Sequence, residues 1–533
     1  MPQHTAGLDP QALHALLLGA QELALLDVRE ARQANRAHPN LARHAPLSTL
    51  ELQIGAFVPR RSVPVVLYDE DDAADGPAAR AAAVLARLGY GDVRRLAGGL
   101  QAWAAQGLPL VDGNNTLVKA FGDRVRQHYG TPVLPLAEFE ARRRDGRSTT
   151  LIDARPRNEY AFLSIAGARN HPGTELALRR FDAPTADHLW AINCFSRTRG
   201  IIGTTTLRQL GLTDRAVFVE DGVMAWGLRG GPVVQNAVPE DELPPAPPEA
   251  LRGLADALVA RHGLQRIDAA GLAGLRADAA RTLYLFDVRP PVAGAVPAGA
   301  LRQVAGGQLL MHFENLVGTR GARIVLVDDP HGLRAAVTAF WLAQLNQAEV
   351  YMLDGPLPAE PPAPVGEPVA AGQAIDPAAL QALHAAGLAD VVDVGPSLEY
   401  ERQHLPQAFF LLPSALAAAD VLLGAAGRTL VFTSPDGAAA RLAARDALQR
   451  APRARVAWLQ GGTQAWQAGG HAVESGARAD RLLSPFDDDW GSVMRVFGPA
   501  RDAAWAAYLD WERGLAARVA QDATVRFRFF EAA

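Results

Sequence analysis

Short apolar runs that stop on an aspartate recur four times along the chain: Leu25-Leu-Asp27-Val-Arg29, Leu151-Ile-Asp153-Ala-Arg155, Leu285-Phe-Asp287-Val-Arg289 and Val391-Val-Asp393-Val-Gly395. Runs of this kind, closing on a polar turn, predict parallel strands buried on both faces. A second apolar run follows midway through each repeat: Val65-Val-Leu-Tyr68, Leu189-Trp-Ala-Ile-Asn193, Ile324-Val-Leu-Val327 and Leu430-Val-Phe-Thr433. Segments rich in Ala, Leu and Arg come next, such as Ala78 to Leu88 and Gly437 to Leu448, and predict helices. A closing marker ends each repeat: Gly98-Gly99 with Trp103, Asp221-Gly222 with Trp226, Asp354-Gly355, and Gly461-Gly462 with Trp466. From Asp27 to Gly99, Asp153 to Gly222, Asp287 to Gly355 and Asp393 to Gly462 the spans are 72, 69, 68 and 69 residues, a regularity chance does not give.

Strands alternating with helices predict βαβ units, and so an α/β protein of doubly wound, mainly parallel sheets with helices on both faces. In such sheets ligands bind beyond the carboxyl ends of the strands. At 533 residues the chain exceeds what one core supports, and the repeats divide it. The expected units are residues 1–115, 130–236, 250–358 and 372–475, with a C-terminal tail over 476–533. Proline-rich stretches at Val238 to Pro248 and Leu357 to Pro368 read as semi-rigid linkers, and Gly113 to Thr131 can hold a connecting helix. The tail carries Trp490, Trp505, Trp511 and Phe527 to Phe530, too aromatic for disorder, and is expected to pack on the array as a helical segment.

Composition narrows the function classes. Acidic residues number 57 and basic ones 52, a net charge of −5 spread along the chain, which leaves no footprint for nucleic acid or a membrane surface. No stretch approaches the length of a membrane span. The segment Met1 to Pro10 lacks a basic region followed by an apolar one, so a secretory signal is not expected and a cytoplasmic location is the default. One cysteine excludes an internal disulfide framework and any cysteine-based zinc site.

That cysteine, Cys194, stands where an apolar run breaks into a cationic loop, Asn193-Cys-Phe-Ser-Arg-Thr-Arg-Gly200. Nearby guanidinium groups, loop amides and a following helix N-terminus favour a thiolate; a buried structural cysteine is the other reading. Cys194 lies 41 residues after Asp153, and the same offset lands on Tyr68 (beside Asp69), Asp328 and Ser434 in the other repeats. None of those is a thiol, so one unit in four is equipped for thiol chemistry.

The unit resembles the rhodanese domain, a family of sulfurtransferases, over about four fifths of the chain from Leu8 to Ser475. The resemblance rests on the Asp-x-Arg strand end with Glu159-Tyr160, on Gly167-Ala168, on the strand, Cys loop and helix, and on the closing Gly222-Val-Met-Ala225-Trp226. It implies four tandem rhodanese-like domains, of which only the second keeps the catalytic Cys, and a reaction in which Cys194 accepts a sulfane sulfur as a persulfide and passes it to cyanide or a thiol. No metal or organic cofactor is implied. The six-residue Cys-x4-Arg loop is similar to sulfurtransferase loops rather than to the longer Cys-x5-Arg loops of related phosphatases and arsenate reductases.

On that resemblance the expected substrate-binding set is Phe195, Ser196, Arg197, Thr198, Arg199 and Gly200, whose amides would face the sulfur, together with Arg157. Arg199 is the first choice for holding an anion and Arg197 the second. Asp153 and Arg155 are expected to hold the loop's shape, Trp226 to sit in the core, and His171 and His188 to be structural or surface residues. The implied partners are a small anionic sulfur donor, thiosulfate before glutathione persulfide, and a thiol acceptor, with a sulfur-acceptor protein as a further candidate. Ser164-Ile-Ala-Gly167 replaces the family's usual His-x-Pro-Gly, and Phe195 replaces a common Arg or Gly, which leaves the donor open. The alternative reading is a non-catalytic or sulfur-relay interaction scaffold built from degenerate units.

Overall fold

The computed structural model describes residues 7–239, 241–291, 300–358, 372–423 and 427–531. Each repeat forms one five-stranded, fully parallel sheet. In the second, Val133–Leu134, Thr149–Asp153, Arg169–Asn170, Leu189–Asn193 and Ala216–Val219 lie in the spatial order first, fifth, fourth, second, third. The other three sheets share this order. The two apolar runs of every repeat are therefore neighbouring central strands, as their continuous hydrophobicity requires.

Alternation along these strands divides the second sheet's core. Leu151, Ala191 and Val219 face Phe139 and Trp226, whereas Ile152, Trp190 and Ile192 face Leu176 and Leu207. Helix Thr116–Tyr129 fills the connecting segment and is buried at nine positions, Phe121 and Val125 among them. It sits in a core shared with the first and third repeats. The 19-residue helix Arg501–Val519 then inserts Trp505 and Leu509 into the core of the second repeat. Beyond it Phe527 and Phe529 pack on Phe121, and Phe530 on Phe340.

Two expectations change. The stretch Val238 to Pro248 is not a free linker: the Leu243 N–H donates to His171 Nε2 at 3.0 Å, the Ala246 N–H donates to the Leu178 carbonyl at 2.9 Å, and helix Pro248–His262 begins within it. A sequence rich in Pro carries few donors, but the ones it has are used to dock it. The stretch 357–368 lies, from residue 359 onward, outside the described residues. Among the described residues no helix is long and apolar enough to cross a membrane.

Register also corrects the counting. Asp27 pairs with Tyr68, Asp153 with Asn193, Asp287 with Val327 and Asp393 with Thr433. The residue after each partner is Asp69, Cys194, Asp328 or Ser434. The first repeat is one residue longer between these strands, so Asp69, not Tyr68, is the counterpart of Cys194.

Candidate active site

Cys194 is the first residue past the strand Leu189–Asn193 and is 2% exposed. The loop it opens runs directly into helix Thr198–Gln209. A second element holds this loop from beneath, the helix Gly222–Leu228 that carries the closing motif. Its N–H groups at Val223 and Met224 donate to the carbonyls of Cys194 and Phe195, each at 3.0 Å. Gly222 is required for that approach: its φ is +56°, and a Cβ there would run into the Cys194 carbonyl oxygen. The first and fourth repeats are built alike, with N–H groups of Leu100 and Gln101 on the carbonyls of Asp69 and Glu70, and those of Thr463 and Gln464 on Ser434 and Pro435.

The loop's charges are matched, which differs from the expectation of free guanidinium groups. Arg199 makes a bidentate pair with Glu159 at 2.6 and 2.7 Å. Arg197 reaches Asp221 and Asp123, each at 2.5 Å, and Arg513 of the C-terminal helix also contacts Asp221 at 2.5 Å. Arg197 thus ties the loop to the connecting helix and the closing motif through both terminal nitrogens of its guanidinium. Asp153 and Arg155 form a fully buried ion pair at 2.7 Å, and the Arg155 guanidinium also donates to the Leu163 carbonyl. Phe195 points into the core rather than toward a ligand, edge-on to Trp505 at 5.7 Å and beneath the Arg155 guanidinium at 5.5 Å. Arg157 is exposed at the start of helix Arg157–Phe162, and among the described residues it pairs with no carboxylate.

Helix Arg501–Val519 lies over the loop, a placement the sequence left open. Ser196 is within hydrogen-bonding reach of Tyr508 and Glu512, and the Thr198 hydroxyl donates to Glu512 Oε1 at 3.4 Å. Lys119 of the connecting helix sits 5.3 Å from the ring of Tyr508 and 5.0 Å from that of Trp511, and its ammonium donates to the Asn114 carbonyl at 2.8 Å. Burial dominates the titration of this cluster. It pushes the Cys194 thiol up, against the pull of the Arg199 charge and the Gly200 N–H that bonds the sulfur, while Glu512 and Asp153 add to the rise. It pushes Glu512 up as well, and it brings Lys119 down to about 8. Burial thus opposes ionisation of the thiol more strongly than the Arg199 charge favours it.

The two histidines stand apart from this chemistry. His171 accepts the Leu243 N–H and is brought down to about 4 by burial. His188 bonds the Ser148 hydroxyl at 2.7 Å and packs edge-on to Trp190. Trp226 lies in the core, edge-on to Phe139 at 5.0 Å. Sequence reasoning passed over Asp123, Lys119, Tyr508 and Glu512. Lys119 and Asp123 carried a signal, as charges among the apolar residues Val118, Ala120, Phe121 and Val125. Glu512, one acid among several on a polar helix, carried none.

The family model described as Rhodanese-like domain matches residues 9–106 and 376–469. A solved thiosulfate sulfurtransferase from Pseudomonas aeruginosa is 35% identical, covers 99% of this chain and 100% of that chain, and superposes with a TM-score of 0.89. A rhodanese from E. coli solved with anions is 28% identical over 17% of this chain and 99% of that chain, with a TM-score of 0.15. A rhodanese-like domain from Anabaena sp. is 27% identical over 20% of this chain and 78% of that chain, with a TM-score of 0.18. No curated protein sequence matches this chain.

Proposed function

Because this chain belongs to the rhodanese-like sulfurtransferases, we propose that it moves a sulfane sulfur from thiosulfate to a thiol or cyanide through a Cys194 persulfide. The observation that carries this reading is the position of Cys194, the one thiol of the sequence, at a central strand end in a six-residue loop that runs into a helix N-terminus. Thiosulfate is the first-choice donor because the matched Pseudomonas aeruginosa structure is named for it; glutathione persulfide is the second.

The steps balance without a cofactor. The Cys194 thiol releases its proton to water, and the thiolate attacks the outer sulfur of thiosulfate. The S–S bond of the donor breaks, and sulfite leaves with the electron pair. The acceptor then attacks the outer sulfur of the persulfide and returns the pair to Cys194 Sγ. Arg199 and the Gly200 N–H oppose burial in favour of the anion. Arg197, Asp153 and Arg155 keep the loop in shape, and Arg157 is a cation that pairs with no carboxylate among the described residues.

Each five-stranded sheet is read as the centre of one domain, with bounds of 1–115, 130–236, 250–358 and 372–475, and with residues 476–533 as a C-terminal tail packing on the array. The first, third and fourth place Asp69, Asp328 and Ser434 where the thiol would stand, and serve the second as framework. Sulfite release from thiosulfate with cyanide as acceptor tests the reading. The native chain should turn over, Cys194→Ser should not, and equal rates for the two would overturn it.

A further inference from the structure

We propose that a cavity between the second and third sheets binds the sulfur acceptor, and that the acceptor is a small organic thiol with an apolar body and an anionic end. The inference rests on the sulfurtransferase reading above. The cavity holds about 530 Å³ and adjoins the active loop, with Thr198 and Arg199 in its wall. Thr198 and Arg199 belong to the loop that Cys194 opens, so the cavity and the nucleophile share that loop.

Size and polarity decide what fits. Pockets for organic ligands run from about 300 to 1,000 Å³. Cyanide or thiosulfate would fill a small part of this one and gain nothing from its walls, which include Val118, Ile202, Val304, Met311 and Trp341. With thiosulfate, the first-choice donor, being small and inorganic, the organic occupant is the acceptor. The third repeat supplies Val304, Met311 and Trp341, and the Trp341 Nε1 donates to Thr206 Oγ1 at 2.9 Å, fixing that wall against the helix that follows the active loop.

Charge selects the rest. The charged side chains lining the cavity are Arg157, Glu175 and Arg199. Glu175 is held by Arg334 at 2.5 and 2.9 Å, and Arg199 by Glu159. Among the described residues Arg157 is left as the unmatched guanidinium, which suits a carboxylate or a like anion. In the transfer step the acceptor thiolate attacks the outer sulfur of the Cys194 persulfide. One S–S bond forms as the other breaks, Cys194 leaves as the thiolate, and the acceptor departs as its own persulfide.

The test uses the full chain with thiosulfate as donor and mercaptoethanol, mercaptohexanol and mercaptohexanoate as acceptors. Mercaptohexanoate should exceed mercaptohexanol in kcat/KM by about tenfold, the ratio a single charge-assisted contact supplies. Mercaptohexanol should in turn exceed mercaptoethanol. Arg157→Glu should abolish the first ratio, and Ala305→Trp, which fills the cavity from its wall, should abolish the second. Intact mass of the chain after thiosulfate alone separates the two levels of the argument. A sulfur adduct with both acceptor ratios near one overturns this proposal only, whereas no adduct on any donor overturns the parent reading and this with it.

Discussion

Replacing Asp393 with Asn isolates what the arginine after the strand-end aspartate contributes. In the first three repeats that aspartate is paired: Arg29 lies 2.6 Å from Asp27, Arg155 2.7 Å from Asp153 and Arg289 2.6 Å from Asp287. In the fourth, Gly395 stands at the arginine's position, and its N–H donates to Asp393 at 2.8 Å. Among the described residues no cation pairs with Asp393, which is 3% exposed, and burial pushes its carboxyl from 3.8 up to about 7. An acid raised in this way favours the folded state fully below its ordinary value, and the contribution is lost as pH rises through about 7. At about 1.36 kcal/mol per unit, the interval from pH 5 to about 7 removes close to 3 kcal/mol, about 100-fold in an opening equilibrium. Amide hydrogen exchange of the strands Ala389–Asp393 and Thr429–Thr433 reads this locally. Comparing Asp393→Asn with the native chain at each pH cancels the intrinsic exchange rates. The variant's relative protection should rise by about 100-fold between about pH 5 and 8. A ratio that does not change with pH would refute the argument, and with it the account of why Asp153 needs Arg155 beside the nucleophile.

Four further outcomes follow from the site. Persulfide formation, and alkylation of Cys194 by iodoacetamide, should climb steadily from about pH 6 to 9 because burial keeps the thiol protonated; a flat rate would contradict it. Gly222→Ala forces a side chain into left-handed backbone, at about 1–2 kcal/mol, and against the Cys194 carbonyl. It should slow sulfur transfer by about tenfold or more with circular dichroism unchanged, and native rates would count against the buttress. Arg197→Met leaves Asp123 and Asp221 without their shared cation. Losing a buried partner costs about 3–5 kcal/mol, and Arg513 on Asp221 keeps the loss near the lower figure; calorimetry should show an earlier first transition. Trp505→Ala empties a fully buried indole site, and at about 3–5 kcal/mol it should loosen the C-terminal helix; unchanged alkylation of Cys194 would argue that this helix does not cover the loop.

Hydrophobic pattern made the strands legible, because a strand buried on both faces has no polar positions to confuse its reading. Leu189–Asn193 and Val65–Tyr68 coincide with their apolar runs, and helix Pro77–Arg87 lies within one residue of its expected ends. Counting along the chain failed by one residue at Tyr68 because equal offsets ignore loop length, whereas strand register does not. The local partners of the site, Asp153 and Arg155, were readable because the pairing spans two residues. The long-range ones were not. Arg197 meets Asp123 across 74 residues and Thr198 meets Glu512 across 314, and nothing in composition or spacing announces such pairs. The cationic look of the loop therefore overstated its free charge, since the carboxylates that match it come from other elements.

The account stands or falls on the nucleophile. Incubating the full chain with thiosulfate and taking an intact mass measures it most directly. The native protein should gain the mass of one sulfur atom, lose it again on addition of cyanide, and show no gain as Cys194→Ser. An unchanged native mass, or the same gain in Cys194→Ser, would contradict a Cys194 persulfide.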